Sequence, residues 1–122
     1  GIYCKGQMVM AISEFEIFKV EKVAKEFCSK RNVNFPPNQL YIDYRLEDQV
    51  LYLFEVRPKW DEPNVKVEIM VAKLWYIKKD KLWKLYWQRQ NMKWHLYEGG
   101  INKNLEPLLI QVNEDNYGCF WG

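Results

Sequence analysis

The chain has 122 residues, 48% of them apolar and 28% charged, with a formal net charge of +2. That length supports one core and no second one of normal size, and the apolar share can bury roughly two-thirds of the unfolded surface, which excludes a disordered chain. No apolar run approaches the ~18–20 residues of a membrane helix, and the first residues hold no apolar leader with a small-residue cleavage site, so the expected location is the cytoplasm.

Six Trp, eight Tyr and six Phe make the sequence rich in rings. These offer both core volume and stacking faces. Cys4, Cys28 and Cys119 form no C-x-x-C pair, which argues against a disulfide framework or a structural zinc, and no cofactor is expected.

Residues 1–9 follow neither a helical nor a strand period and read as an extension or vector remnant, leaving 10–122 as the domain. Ser13 and Glu16 form a capping box, with Ile12 and Ile17 as its staple. Ile17, Val20, Ala24, Phe27 and Cys28 then recur at helical spacing, predicting a helix over about 14–30 that Pro36 and Pro37 stop. From Leu40 the period is two. Ile42, Tyr44 and Leu46 form one apolar row and Val50, Tyr52, Phe54 and Val56 another. Matching them predicts a hairpin with Ile42 opposite Phe54, across a three-residue loop.

Pro58, Asp61, Glu62 and Pro63 predict an irregular connection, followed by a third strand over about 65–77 with a bulge near Ala72. Two-residue turns at Lys79-Asp80 and Gln90-Asn91 would complete a meander with strands over 82–89 and 92–97. In that register Leu74, Tyr76, Trp83, Leu85, Trp87, Trp94 and Leu96 share the core face. Trp87 is expected to be largely buried against helix residues such as Phe27 or Val20. Gly99-Gly100 breaks the sheet, and Leu105, Leu108, Leu109 and Val112 give a short helix with Pro107 in its first turn. The expected fold is α+β, an antiparallel sheet of about five strands packing one face on both helices, with a docked aromatic tail.

Three stretches carry a resemblance. Phe54-Glu55-Val56-Arg57-Pro58-Lys59-Trp60-Asp61 is the first, and Tyr86-Trp87-Gln88-Arg89 running on to Lys93-Trp94-His95-Leu96-Tyr97 is the second. The third is the tail, Asp115-Asn116-Tyr117-Gly118-Cys119-Phe120-Trp121-Gly122. Together with Ser13-Glu14-Phe15-Glu16 and Val71-Ala72-Lys73, they make the chain from about Met10 onward similar to a small bacterial family catalogued as domain of unknown function 3024. The resemblance brings no activity, cofactor or partner with it.

Two surfaces could carry chemistry. On the non-core face of the first hairpin, Tyr41, Asp43, Arg45, Leu51, Leu53, Glu55 and Arg57 are expected together, with Glu55 opposite Tyr41 and diagonal to Asp43. Such a carboxylate pair beside a cation is similar to metal-dependent nucleases of the PD-(D/E)-x-K type, which would make the protein a phosphodiesterase using Asp43 and Glu55. Arg57 stands where that pattern has lysine and cannot exchange a proton at neutral pH. The other reading of this face is an Arg–carboxylate network, or a ligand site at Glu55 and Arg57.

The second surface is basic. Residues 73–103 carry a local balance of +6 in a chain of +2. Lys73, Trp75, Lys84, Tyr86, Lys93, His95 and Tyr97 are expected on one non-core face, where lysines between flat rings suit single-stranded nucleic acid. The leading expectation is a non-catalytic binding module, with nucleic acid as the candidate partner and no membrane. His95, the sole histidine, has no sequence-evident orienting acid. Pairing it with Cys119 would be the one conceivable thiol chemistry, while a tail that folds back through Gly118 gives Cys119 a packing role.

Overall fold

A computed structural model describes residues 13–36 and 39–121. The extension expected at 1–9, the staple residue Ile12 and the helix-stopping Pro37 lie outside the described residues. The order is α1 (Glu14–Asn32), β1 (Tyr41–Glu47), β2 (Val50–Lys59), β3 (Glu62–Ile77), β4 (Leu82–Gln88), β5 (Trp94–Asn102) and α2 (Leu105–Glu114). The strands form one antiparallel sheet in sequence order. The fold is therefore α+β, as expected, and no helix is long and apolar enough to cross a membrane.

Local chemistry accounts for the helices. The Ser13 side chain accepts from the Glu16 N–H at 3.2 Å, satisfying a free donor at the start of α1. Val20, Ala24 and Cys28, each four residues apart, are the positions α1 buries. Asn32 ends it by pairing with a strand: its Oδ1 accepts from the Ile42 N–H at 2.6 Å and its Nδ2 donates to the Ile42 carbonyl at 3.0 Å. Pro107 sits in the first turn of α2, where its missing N–H costs nothing. Leu105, Leu108, Leu109 and Val112 are buried.

The sheet corrects the expected register at two hairpins. β1 and β2 join through Asp48-Gln49 alone, Asp48 taking a left-handed φ of 54°, so Ile42 faces Glu55 and Tyr44 faces Leu53. Every side chain of β2 thereby changes face relative to the expectation. Leu51 and Leu53 point to the helices and are fully buried, while Tyr52 and Phe54 point to the opposite face.

At the other end, the Met92 N–H donates to the Arg89 carbonyl at 2.8 Å and the Arg89 N–H to the Lys93 carbonyl at 3.1 Å, with Met92 at φ 66°. This is a three-residue loop closed by a left-handed residue, rather than a two-residue turn. The added residue inverts β5: His95 and Tyr97 lie on the helix side, and Trp94 and Leu96 on the open side.

The β3–β4 register is the expected one, although the loop between them spans residues 78–81 because Ile77 pairs with Leu82. The bulge near Ala72 exists: Leu53 pairs with Ala72 but Phe54 with Met70, leaving Val71 as the extra residue. The Pro58–Pro63 region is no irregular loop, because β2 and β3 continue as a ribbon to a turn at Trp60-Asp61. β1 ends at the level of Val56, so Pro58 sits on an edge and forfeits no ladder bond there. Gly99-Gly100 does not end the sheet but lies inside β5, at a register shift. A side chain at Gly100 would meet the Leu85 Cβ at 3.0 Å, which is why this strand crosses β4 on glycine.

The core lies between the helix side of the sheet and the two helices. It holds Ile42, Leu51, Leu53, Leu74, Leu85, Leu108 and Val112 at under 2% exposure. The tail closes it. Asp115, left-handed at φ 47°, accepts at Oδ1 from the N–H groups of Cys119 (2.6 Å) and Phe120 (3.0 Å), and at Oδ2 from Trp121 (2.9 Å). Gly118, at φ 67°, makes the turn. Phe120 is buried against Tyr97, their ring centroids 5.0 Å apart. The Trp121 indole N–H donates to the Val112 carbonyl at 2.8 Å, and the Arg31 guanidinium lies 3.6 Å over the Trp121 ring. Arg31 also donates to Asn113 at 2.6 Å, tying α1 to α2.

Candidate functional site: the open face of the sheet

Both helices pack on one side, so the other side of the sheet carries no element of this chain among the described residues. Cross-strand pairing sets its composition. Tyr52 on β2 pairs with Lys73 on β3, Lys73 with Tyr86 on β4, and Tyr86 with Leu96 on β5, forming one row across four strands. In flanking rows Trp75 pairs with Lys84, and Gln88 with Trp94.

Lys73 is the centre of this surface. Its Nζ lies 4.8 Å from the Tyr86 ring centroid, 5.5 Å from that of Trp94 and 5.9 Å from that of Trp75. Trp75 and Tyr86 approach to 6.3 Å, and Tyr52 and Trp94 to 6.4 Å. The ammonium is thus ringed by the electron-rich faces of aromatic side chains. Partial burial among them holds the Lys73 pKa below the ordinary lysine value and pushes the Tyr86 hydroxyl up. Trp75 remains 39% exposed, so ring surface is open to solvent.

Further along the open face an arginine meets a glutamate. Arg45 pairs with Glu68 at 2.8 Å and lies 4.8 Å over the ring of Phe54, which is 3% exposed. Lys73 and Lys84 form no ion pair among the described residues, nor does Lys66 further along the face, whose Nζ lies 5.6 Å from the Tyr41 ring centroid.

The expected sites divide accordingly. Lys73, Trp75, Lys84 and Tyr86 are together on the open face. Lys93 is exposed in the loop before β5. His95 and Tyr97 are corrected to the helix side, where Tyr97 is 3% exposed and His95 packs 5.7 Å from Trp87. Trp87 lies on the helix side and packs against the core, but it is half-buried rather than largely buried as expected, with His95 and Arg89 beside its ring. Tyr52, Trp94 and Leu96, which the sequence pattern places in the core, belong to the open face. The signal that could have placed them is loop length, since one residue in either loop inverts a strand.

The pairing expected of Asp43 and Glu55 is also corrected. Asp43 lies opposite Phe54 on the open side, while Glu55 lies opposite Ile42 on the helix side. The two carboxylates cannot share an ion. Asp43 instead accepts from the Tyr44 N–H at 2.8 Å, and Glu55 pairs with Arg57. Among the described residues no group of three or more His, Cys, Asp or Glu side chains is placed to hold a metal ion.

The model of domain of unknown function DUF3024 matches residues 12–122. The chain belongs to the DUF3024 family. That match takes in every open-face residue named here, together with the Asp115–Trp121 tail. Neither curated proteins nor solved structures give a match to this DUF3024 chain.

Proposed function

We propose that the protein is a non-catalytic binding module that takes single-stranded nucleic acid on the open face of its sheet. The observation that carries this reading is Lys73 set among Trp75, Tyr86 and Trp94, with Lys84 beside them. Each ring can stack a base for about 1–3 kcal/mol, and the ammonium groups meet the phosphates that join those bases. A duplex hides its base faces, so unpaired strands should bind more tightly. Among the described residues Cys28 and Cys119 are free thiols, which accords with a reducing bacterial cytoplasm as the site of action.

The test is titration of a labelled mixed-sequence oligonucleotide at two salt concentrations. Affinity should fall steeply with salt, and the double variant Lys84→Ala/Tyr86→Ala should lose most of it. Binding that this variant retains in full would overturn the reading. So would Mg²⁺-dependent cleavage of the strand that disappears in Glu55→Ala.

A further inference from the structure

β3 outruns its neighbour in the sheet. It spans Glu62–Ile77, but β4 pairs with it only between Ala72 and Ile77, so the outer side of residues 62–70 faces no strand among the described residues. The ladder shows which backbone groups point that way. On β1, Ile42 and Tyr44 turn their N–H groups outward, so Tyr41 and Asp43 bond to Val56 and Phe54 of β2. The alternate residues Glu55 and Arg57 then bond to Ile69 and Val67 of β3. Lys66 and Glu68, lying between these, direct their own N–H and C=O groups to the free side. The side chains there are sorted by face. Val67 and Ile69 share the helix side with Arg57 and Glu55, and Val65 joins them by alternation; Val65 and Ile69 are each 43% exposed. Lys66 and Glu68 stand on the open side, both exposed.

We propose that this free edge pairs with the same edge of a second copy of the chain, β3 antiparallel to β3 about a two-fold axis at Val67. The occupant follows from charge complementarity along the edge. In this register Lys66 stands opposite Glu68 of the second copy, and Glu68 opposite its Lys66, so both charges are matched twice per dimer. The apolar row matches itself as well, Val67 opposite Val67 and Val65 opposite Ile69. The outward N–H and C=O groups of Lys66 and Glu68 are the ones that this register bonds across the axis. The neighbouring registers are excluded by the same residues: centring on Lys66 opposes two lysines, and centring on Glu68 opposes two glutamates. Lys66 forms no ion pair within its own chain among the described residues, so the second copy supplies its carboxylate. A two-fold contact uses the edge of both copies and closes, so a dimer results and not a fibre.

The experiment is sedimentation of the full chain, without oligonucleotide, across a wide range of concentration. The parent should pass from one-chain to two-chain mass. Lys66→Glu and Glu68→Lys each set like charges opposite one another at both pairs, and each should raise the dimer dissociation constant about tenfold or more. Lys66→Ala, which removes the attraction without adding repulsion, should lie between. An equimolar mixture of the Lys66→Glu and Glu68→Lys chains re-forms both Lys–Glu pairs between unlike chains, so it should dimerise as the parent does. Both residues are exposed, and the Arg45 contact that Glu68→Lys gives up is a surface ion pair, so circular dichroism of the variants should match the parent. Lys84→Ala/Tyr86→Ala should leave the mass unchanged, which keeps this test separate from that of the open face. The proposal is overturned if the parent stays monomeric at every concentration, which would leave the edge to a strand of another protein. It is equally overturned if neither Lys66 variant weakens the dimer, or if the mixture fails to restore it.

Discussion

Met92 shows how one residue's backbone decides what a surface presents. At φ 66° it occupies a region that costs a side chain with a Cβ about 1 kcal/mol, and it is 71% exposed, so no packing repays that cost. Its position nevertheless closes the loop that turns Trp94 outward and His95 inward. Met92→Gly should therefore raise stability by about 0.5–1 kcal/mol and leave the open face intact. Denaturant unfolding gives the first quantity, and unchanged oligonucleotide affinity checks the second. The absence of glycine here also explains why the sequence disguises the loop, because a left-handed Met carries no turn signature.

Among the elements, the tail is the least regular and one of the most constrained. Three successive N–H groups converge on the Asp115 carboxylate, and Phe120 and Trp121 cover the end of the core. Burying such rings is worth roughly 1.5–3 kcal/mol each, more than the ordering of a few residues consumes once hydrogen bonds are added. Deleting Cys119 through Gly122 should lower the melting temperature by several degrees, at about 3–7 °C per kcal/mol for a domain of this size. Cys119→Ser should cost far less. Scanning calorimetry of the two variants distinguishes a docked tail from an idle one.

Legibility followed the elements too. α1, α2 and the rows of β1, β3 and β4 were evident because one face of each is plainly more apolar. β2 was not, because Leu51-Leu53 and Tyr52-Phe54 are both apolar rows and either could be core. Phe54 lies on the open side beneath the Arg45 guanidinium, a cover that the alternation of apolar residues does not reveal. The candidate site was half legible for the same reason: Lys73, Trp75, Lys84 and Tyr86 were readable, but Tyr52 and Trp94 depended on loop conformation.

For the whole molecule, the buried hydroxyls and thiol set an alkaline limit. Burial, then the nearby Asp43 charge, pushes Cys28 up to about 12 from an ordinary 9.0. Burial likewise raises Tyr44 and Tyr97. Each group holds its proton more tightly in the fold than in the unfolded chain. Their contribution is thus fully present below about pH 9 and is lost as pH rises, at about 1.4 kcal/mol per pH unit for Cys28 until its folded pKa is reached. Unfolding midpoints measured between about pH 8 and pH 10.5 should fall, and Cys28→Ala should flatten the slope; a pH-independent midpoint would refute this account.

The side chains along the outer edge of β1 bear on how the molecule behaves in a crowd of its own copies. An open strand edge is a template on which another chain can polymerise, and a five-stranded meander has two such edges. On β1 the outward N–H of Ile42 is taken by Asn32, and the next one, at Tyr44, by the carboxylate of Asp43. Asn32 fills the Ile42 carbonyl as well. The last residue of α1 thus imitates one peptide unit of a sixth strand. An incoming strand would have to displace it before gaining its first two bonds, so this edge resists the growth of fibrils with two polar side chains and no covering element.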